Sequence, residues 1–190
     1  QDLGELRGRS LRRARRQVGC VFQKFNLVGN LGVLQNVLFG RLGSDGLLGC
    51  WSLTARRAAR EQAMQALERV GLAALAGRRT DTLSGGQQQR VAIARMLVQD
   101  ARIVLADEPV ASLDPKAGRE VMELLWSVVR ERGITVLCVL HQLDLARDYA
   151  DRLVGMRAGG IVFDRPAADV DDAEIHALYG AAPTDAGVAA

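Results

Sequence analysis

Aromatic side chains are scarce: Phe, Trp and Tyr together make up 4% of the 190 residues. The core must therefore be mostly Leu, Val and Ala. Long apolar runs are also missing. The longest covers residues 134–140 and ends at His141, far short of the roughly 20 residues that a bilayer-spanning helix needs. The first residues carry charge and no apolar signal-peptide core, so the chain reads as cytosolic, with any membrane contact made through another protein. Cys20, Cys50 and Cys138 have neither zinc nor disulfide spacing, which fits a reducing compartment. Each reads as a small, partly buried apolar residue. Lysine is nearly absent: Lys24 follows Gln23 and Lys116 follows Pro115. No G-x-x-x-x-G-K-[ST] string occurs, so that phosphate-gripping loop is not encoded in these residues.

What the chain does contain suits one sizeable core, with 48% hydrophobic residues and a net charge of +3. Six arginines between Arg7 and Arg16 form the densest basic cluster. No aromatics are interleaved there, so the cluster reads as a solvated helical face and no nucleic-acid partner is expected.

Residues 18–22 read as a strand ending at Gln23. Residues 27–83 are helical in pattern, with Val33, Leu34, Val37 and Leu38 on one face. Residues 40–49 carry four glycines and read as an exposed connection. Ala59, Ala63, Ala66, Leu67 and Val70 mark an amphipathic helix stopped at Gly71. Residues 87–98 are helical again. Residues 103–106 and 134–140 read as buried strands of a parallel sheet covered on both faces. Asp114-Pro115 opens a helix with a buried stripe of Val121, Leu124, Leu125 and Val128. A short helix at 143–150 and a hairpin around Gly159-Gly160 follow, then a small helix and an Ala/Gly-rich tail. The fold class is therefore α/β with an inserted helical subdomain. The expected divisions are 1–26 (partial core), 27–83 (helical subdomain), 84–165 (core) and 166–190 (C-terminal helix and tail).

The chemistry concentrates in two strings. Leu83-Ser84-Gly85-Gly86-Gln87 leads into a helix, where free amides and the helix dipole favour an anion. The dipole alone supplies about 0.3–1 kcal/mol, so amide and hydroxyl hydrogen bonds must add to it. Leu105-Ala106-Asp107-Glu108-Pro109 ends a buried strand in two carboxylates. Asp107 suits Mg²⁺, which prefers oxygen ligands and keeps several waters; Glu108 suits general-base work on an attacking water. A lone Ser-Gly-Gly is usually a plain helix cap, and a lone Asp-Glu-Pro a surface pair. A lone histidine at a strand end is more often structural than catalytic. Their weight comes from occurring together, because Gln23, Asp107-Glu108 and His141 all stand at carboxyl ends of strands, where parallel sheets bind ligands. His176 has no such company and reads as a surface residue.

These residues resemble the ATP-binding subunits of ABC transporters over nearly the whole chain. Leu83-Ser84-Gly85-Gly86-Gln87 is similar to that family's signature motif, and residues 103–107 with Glu108 to its Walker B strand and catalytic glutamate. Gln23 resembles the Q-loop, Ser112-Leu113-Asp114 the D-loop and His141 the switch histidine. Flanking strings such as Val21-Phe22-Gln23-Lys24-Phe25-Asn26-Leu27 and Leu140-His141-Gln142 look closest to the phosphonate importer branch. The resemblance implies a P-loop NTPase-like core and a head-to-tail homodimer with ATP between the subunits. Ser84 and Gly86, with Gly85, Gln87 and Asp114 beside them, would contact nucleotide across that sandwich. Glu108 would activate water, Asp107 and Gln23 would address Mg²⁺, and His141 would sense the γ-phosphate. The implied partners are a transmembrane permease and, indirectly, a periplasmic phosphonate-binding protein, at the cytoplasmic face of a bacterial inner membrane.

One departure stands out. Only 22 residues precede Gln23, whereas the family carries its adenine contact and Walker A loop further upstream. A truncated sequence is the simplest expectation, together with exposed apolar surface where part of the sheet is missing. Other cargo (polar amino acids, or lipoprotein release), an ABC ATPase acting in DNA repair or translation, and a non-catalytic interaction fragment are the alternatives. The 190 residues alone are expected not to hydrolyse ATP; magnesium-dependent turnover of the purified chain, lost in Glu108→Gln, would contradict this.

Overall fold

The computed structural model describes residue 2 and residues 4–171. The C-terminal tail and His176 lie outside the described residues. The described residues form two compact units, divided between His141 and Gln142.

The first unit begins with the basic helix α1 (Gly8–Arg16), which buries no side chain, as expected of a solvated arginine face. It leads into β1 (Val18–Phe22), then α2 (Val33–Leu38), α3 (Leu42–Gly49) and α4 (Arg57–Arg69). After these come α5 (Gly85–Gln99), β2 (Ile103–Asp107), α6 (Pro115–Arg132) and β3 (Thr135–Val139). The three strands form one parallel sheet in the order β1-β2-β3.

Helix α5 is the centre of the packing. Its Val91, Ala92, Ile93, Ala94, Met96 and Leu97 are buried, and it packs against α2, α4, α6 and β1. Helix α6 buries Val121, Met122, Leu125, Val128 and Val129; the expected Leu124 is only half-buried. Burying Leu- and Val-sized side chains contributes about 1.5–3 kcal/mol each, so a core low in aromatics still holds. Buried Asn36 ties down the loop that leads into α2. Its Oδ1 accepts the Val28 N–H at 2.7 Å, and its Nδ2 donates to the carbonyls of Val28 and Gly32 at 3.1 Å each.

Two expectations fail here. Residues 42–49, expected as an exposed connection, are largely exposed but helical. The Arg41 guanidinium grips Asp45 with two hydrogen bonds, at 2.6 and 3.1 Å, and holds the first turn. The glycines are accommodated by a kink at Gly46, whose φ of 71° belongs to the left-handed region. The sheet is also not covered on both faces. Leu105 and Leu137 are register partners on one face, with Val139 two residues further along it, and they are 40%, 62% and 50% exposed. The expected exposed apolar surface is therefore present, as one face of the sheet.

The second unit holds α7 (Leu143–Tyr149) and an antiparallel hairpin of β4 (Arg152–Arg157) and β5 (Gly160–Pro166). Ala158 and Gly159 make its turn with φ of 50° and 80°, a backbone suited to the twist of two-residue hairpins. Phe163 and Val170 form its small core with Leu143 and Leu153. Among the described residues no helix is long and apolar enough to cross a membrane.

Replacing Asn36 by Leu takes the acceptor from the Val28 amide and one of the two donors from each of the Val28 and Gly32 carbonyls, around a fully buried position. Chemical denaturation is expected to show a loss of about 2–4 kcal/mol; an unchanged midpoint would mean that the network is dispensable.

Candidate functional site

The strand register brings three polar groups to one end of the sheet. Phe22 pairs with Asp107, and Asp107 with Val139. Gln23 and Glu108 therefore follow directly at neighbouring strand ends, and His141 stands two residues beyond the third. His141 Nε2 lies 2.7 Å from Glu108 Oε1. The imidazole is largely exposed and the carboxylate mostly covered, at 68% and 26%. A proton or a hydrogen bond can be shared at that contact.

Glu108 is fixed by its backbone as well. Its φ of 45° is left-handed, which costs a non-glycine residue roughly 1–2 kcal/mol. Its amide donates to the Val139 carbonyl at 3.1 Å, and its carbonyl accepts from the Ala111 amide at 3.2 Å. Strain of this kind concentrates at functional sites.

Gln23 is exposed, and its carbonyl accepts from the Ser112 hydroxyl at 3.4 Å. The next turn is unusual: Phe25 and Asn26 have φ of 56° and 48°. Asn26 tolerates this region; Phe25 does not tolerate it easily. Arg95 of α5 donates to both of their carbonyls.

Ser84 caps α5 in a reciprocal box. Its Oγ accepts the Gln87 amide at 3.3 Å, while Gln87 Oε1 accepts the Ser84 amide at 3.1 Å. The first-turn amides of Gly85 and Gly86 have no intrahelical acceptor, the usual basis of an anion site. Gly85 also serves packing, because a Cβ there would stand 3.1 Å from Leu113 Cδ2 and 3.7 Å from the Phe25 ring. Asp114 caps α6, its Oδ1 accepting the Ala117 amide at 3.0 Å. The structure thus brings Glu108 and His141 into direct contact and places Gln23 beside Ser112. The hydrogen bonds of Ser84, Gln87 and Asp114 named here are helix caps, with no contact to the Glu108–His141 pair.

Sequence reasoning missed two residues of α5. Gln89 is fully buried; its Nε2 donates to the Pro109 carbonyl at 2.6 Å, directly after the carboxylate pair. Its Oε1 has no partner among the described residues. Arg95 is the other. The available signal was a polar side chain on the packed side of an otherwise Ala/Val/Ile helix.

Among the described residues no group of three His, Cys, Asp or Glu side chains makes a metal cage. The Asp107 carboxylate and the Gln23 amide oxygen are hard oxygen donors, which fits Mg²⁺ completing its shell with water and phosphate oxygens. Cys138 does not join them. Burial first, and the negative charge of Asp107 second, push its thiol up to about 12, so it stays protonated and unreactive near neutral pH. A groove of about 670 Å³ lies by the C-terminal ends of α5 and α6, the other end of the helix that Ser84 starts. Within it Arg69 pairs with Glu131 at 2.6 Å and Arg132 donates to the Leu97 carbonyl at 3.0 Å.

Comparison with known proteins agrees with this geometry. The family described as ABC transporter matches residues 1–111. The Phosphonates import ATP-binding protein PhnC of Frankia casuarinae is 52% identical over 96% of this chain and 72% of its own length. The protein of the same name from Nocardia farcinica is 55% identical over 90% of this chain and 63% of its own. The Phosphate-import ATP-binding protein PhnC of Mycolicibacterium smegmatis is 55% identical over 90% and 65%. The chain thus spans roughly two thirds of these relatives. Among solved structures, a dimeric ATP-binding cassette in a post-hydrolysis state with ADP and Pi superposes with a TM-score of 0.71 at 34% identity, over 86% of this chain and 68% of that one. A cassette of the cbiONQ transporter from Clostridium perfringens superposes at 0.72 with 30% identity, over 85% and 61%. The match of the family over residues 1–111 and relatives more than 50% identical over nine tenths of the chain agree with the contact of Glu108 and His141 across parallel strand ends: the chain belongs to the ABC transporter family, among its ATP-binding cassettes.

Proposed function

We propose that this chain acts in the ATP-hydrolysing subunit of an importer for phosphonates, working as a pair at the cytoplasmic face of a bacterial inner membrane. The observation that carries the catalytic part is the 2.7 Å contact between Glu108 and His141. In this reading Glu108 polarises the attacking water, and His141 orients both that carboxylate and the terminal phosphate. Asp107 and Gln23 would hold Mg²⁺, which neutralises phosphate charge when bound. Ser84, Gly85 and Gly86 present a hydroxyl and amides to the γ-phosphate held by the opposite subunit. Gln87 and Asp114 keep those helix starts rigid. The proposed divisions are residues 1–26 and 84–165 for the catalytic core and 27–83 for the helical subdomain.

The same reading assigns the permease a surface. Leu42, Leu47, Leu48, Trp51 and Leu53 are all exposed, at 48%, 66%, 79%, 41% and 85%. They fall within the helical segment that follows Gln23. An amphipathic helix of a membrane partner would cover such a run and link it to the nucleotide site. The cargo rests on the names of the relatives. Those from Frankia and Nocardia favour phosphonates, delivered by a periplasmic binding protein; the mycobacterial relative favours phosphate as a second reading.

In a transporter assembled with its permease and complete nucleotide sites, methylphosphonate presented by the binding protein is expected to stimulate turnover, with inorganic phosphate doing so instead under the second reading. Glu108→Gln lowers that turnover by about 100-fold or more while ATP still holds the two subunits together; near-normal turnover removes Glu108 from the mechanism. Leu47→Ser, Leu48→Ser and Leu53→Ser combined should release the subunit from permease-containing membranes without lowering its melting temperature. Undiminished co-purification would place the permease elsewhere.

A further inference from the structure

Residues 23–26 have a backbone that would not hold itself. Two consecutive non-glycine residues, Phe25 and Asn26, are left-handed, and only short turns support them, Phe25 N–H to the Phe22 carbonyl at 3.2 Å and Asn26 N–H to the Lys24 carbonyl at 2.5 Å. From outside, Ser112 donates a long 3.4 Å hydrogen bond to the Gln23 carbonyl, and Arg95 grips the left-handed pair itself. Its Nη2 donates to the Phe25 carbonyl at 2.9 Å and its Nη1 to the Asn26 carbonyl at 2.5 Å. Among the described residues Arg95 has no carboxylate partner, so its guanidinium spends its fork on two neutral carbonyls. Burial pulls its pKa below the usual arginine value, yet it stays charged at any working pH. A half-buried cation kept without a counter-ion is costly unless its donors are well used.

Helix α5 touches the same loop a second time. The Phe25 ring lies beside Gly85, the first residue of α5, so one loop is held near both the start and the middle of one helix. That helix carries the Ser84 cap.

We propose that Arg95 is a positioning residue: it clamps the strained turn after Gln23 to α5, so that displacement of the Ser84 cap moves the Gln23 side chain in the same subunit. The proposal rests on reading Gln23 as a functional residue, and it adds the connection between Gln23 and the helix cap. A planar fork that reaches two adjacent carbonyls is a task for arginine; a lysine ammonium offers a single point of attachment.

Hydrogen exchange followed by mass spectrometry tests it on the native protein, Arg95→Gln, Arg95→Lys and the control Arg90→Gln. Arg90 sits on the same helix but pairs with Glu120 at 3.0 Å. A peptide covering residues 22–28 is expected to exchange about tenfold faster or more in Arg95→Gln, by an intermediate amount in Arg95→Lys, and at the native rate in Arg90→Gln. A loop unaffected by Arg95→Gln, or acceleration spread evenly through α4 and α5, overturns the proposal. A double-mutant cycle on ATP turnover in the assembled transporter is the second arm. Arg95→Gln should lower turnover in the native background and have no further effect in Gln23→Ala. Additive losses overturn the positioning role. If the loop loosens in Arg95→Gln while Gln23→Ala turns over ATP normally, the functional reading of Gln23 fails and the clamp on the loop stands.

Discussion

The register of the parallel sheet is the constraint on which everything else depends. Because Phe22, Asp107 and Val139 are paired across three strands, the residues that follow them must emerge at one level. A slip of one residue in β2 would turn Asp107 to the opposite face and carry Glu108 away from His141. The register is held by the alternation within β2, where Val104 and Ala106 are buried and Leu105 faces the other way. Hydrophobic patterning thus determines where an acid and an imidazole meet.

Helix α5 converts that placement into a supported site. It begins at Ser84, reaches the Pro109 carbonyl through Gln89 and holds the loop after Gln23 through Arg95. Its other side chains fill the core. The helix therefore has direct hydrogen bonds to the residue after the carboxylate pair and to the loop after Gln23. This arrangement suits a cassette whose nucleotide is shared between two copies, since the cap of each faces outward while its supports face inward.

Much of this was legible in the residues. The strands at Val18–Phe22 and Ile103–Asp107 stand out as short apolar runs ending in polar groups, and Asp114-Pro115 marks the start of α6. That Glu108 and His141 stand at neighbouring strand ends was readable from the strands; their 2.7 Å contact, with Glu108 in a left-handed backbone, was not. What misled was composition. Glycines at 43, 46 and 49 read as an open connection, because periodicity does not reveal the Arg41–Asp45 pair that holds that helix together. The apolar residues of β3 suggested a strand covered on both faces. Pattern reports that a side chain is apolar, whereas cover depends on what else packs there, and Leu137 is left open. Arg95 was missed for a third reason. A charged residue on a helix is usually solvated, and nothing local announces that its partners are two carbonyls about 70 positions earlier.

A crystal structure of the assembled Glu108→Gln dimer with Mg²⁺ and ATP would examine the central claim most directly. The account predicts one γ-phosphate within hydrogen-bond reach of His141 in one copy and of Ser84 in the other, with Asp107 and Gln23 around the metal. A triphosphate seated away from the carboxyl ends of β1, β2 and β3 would contradict it.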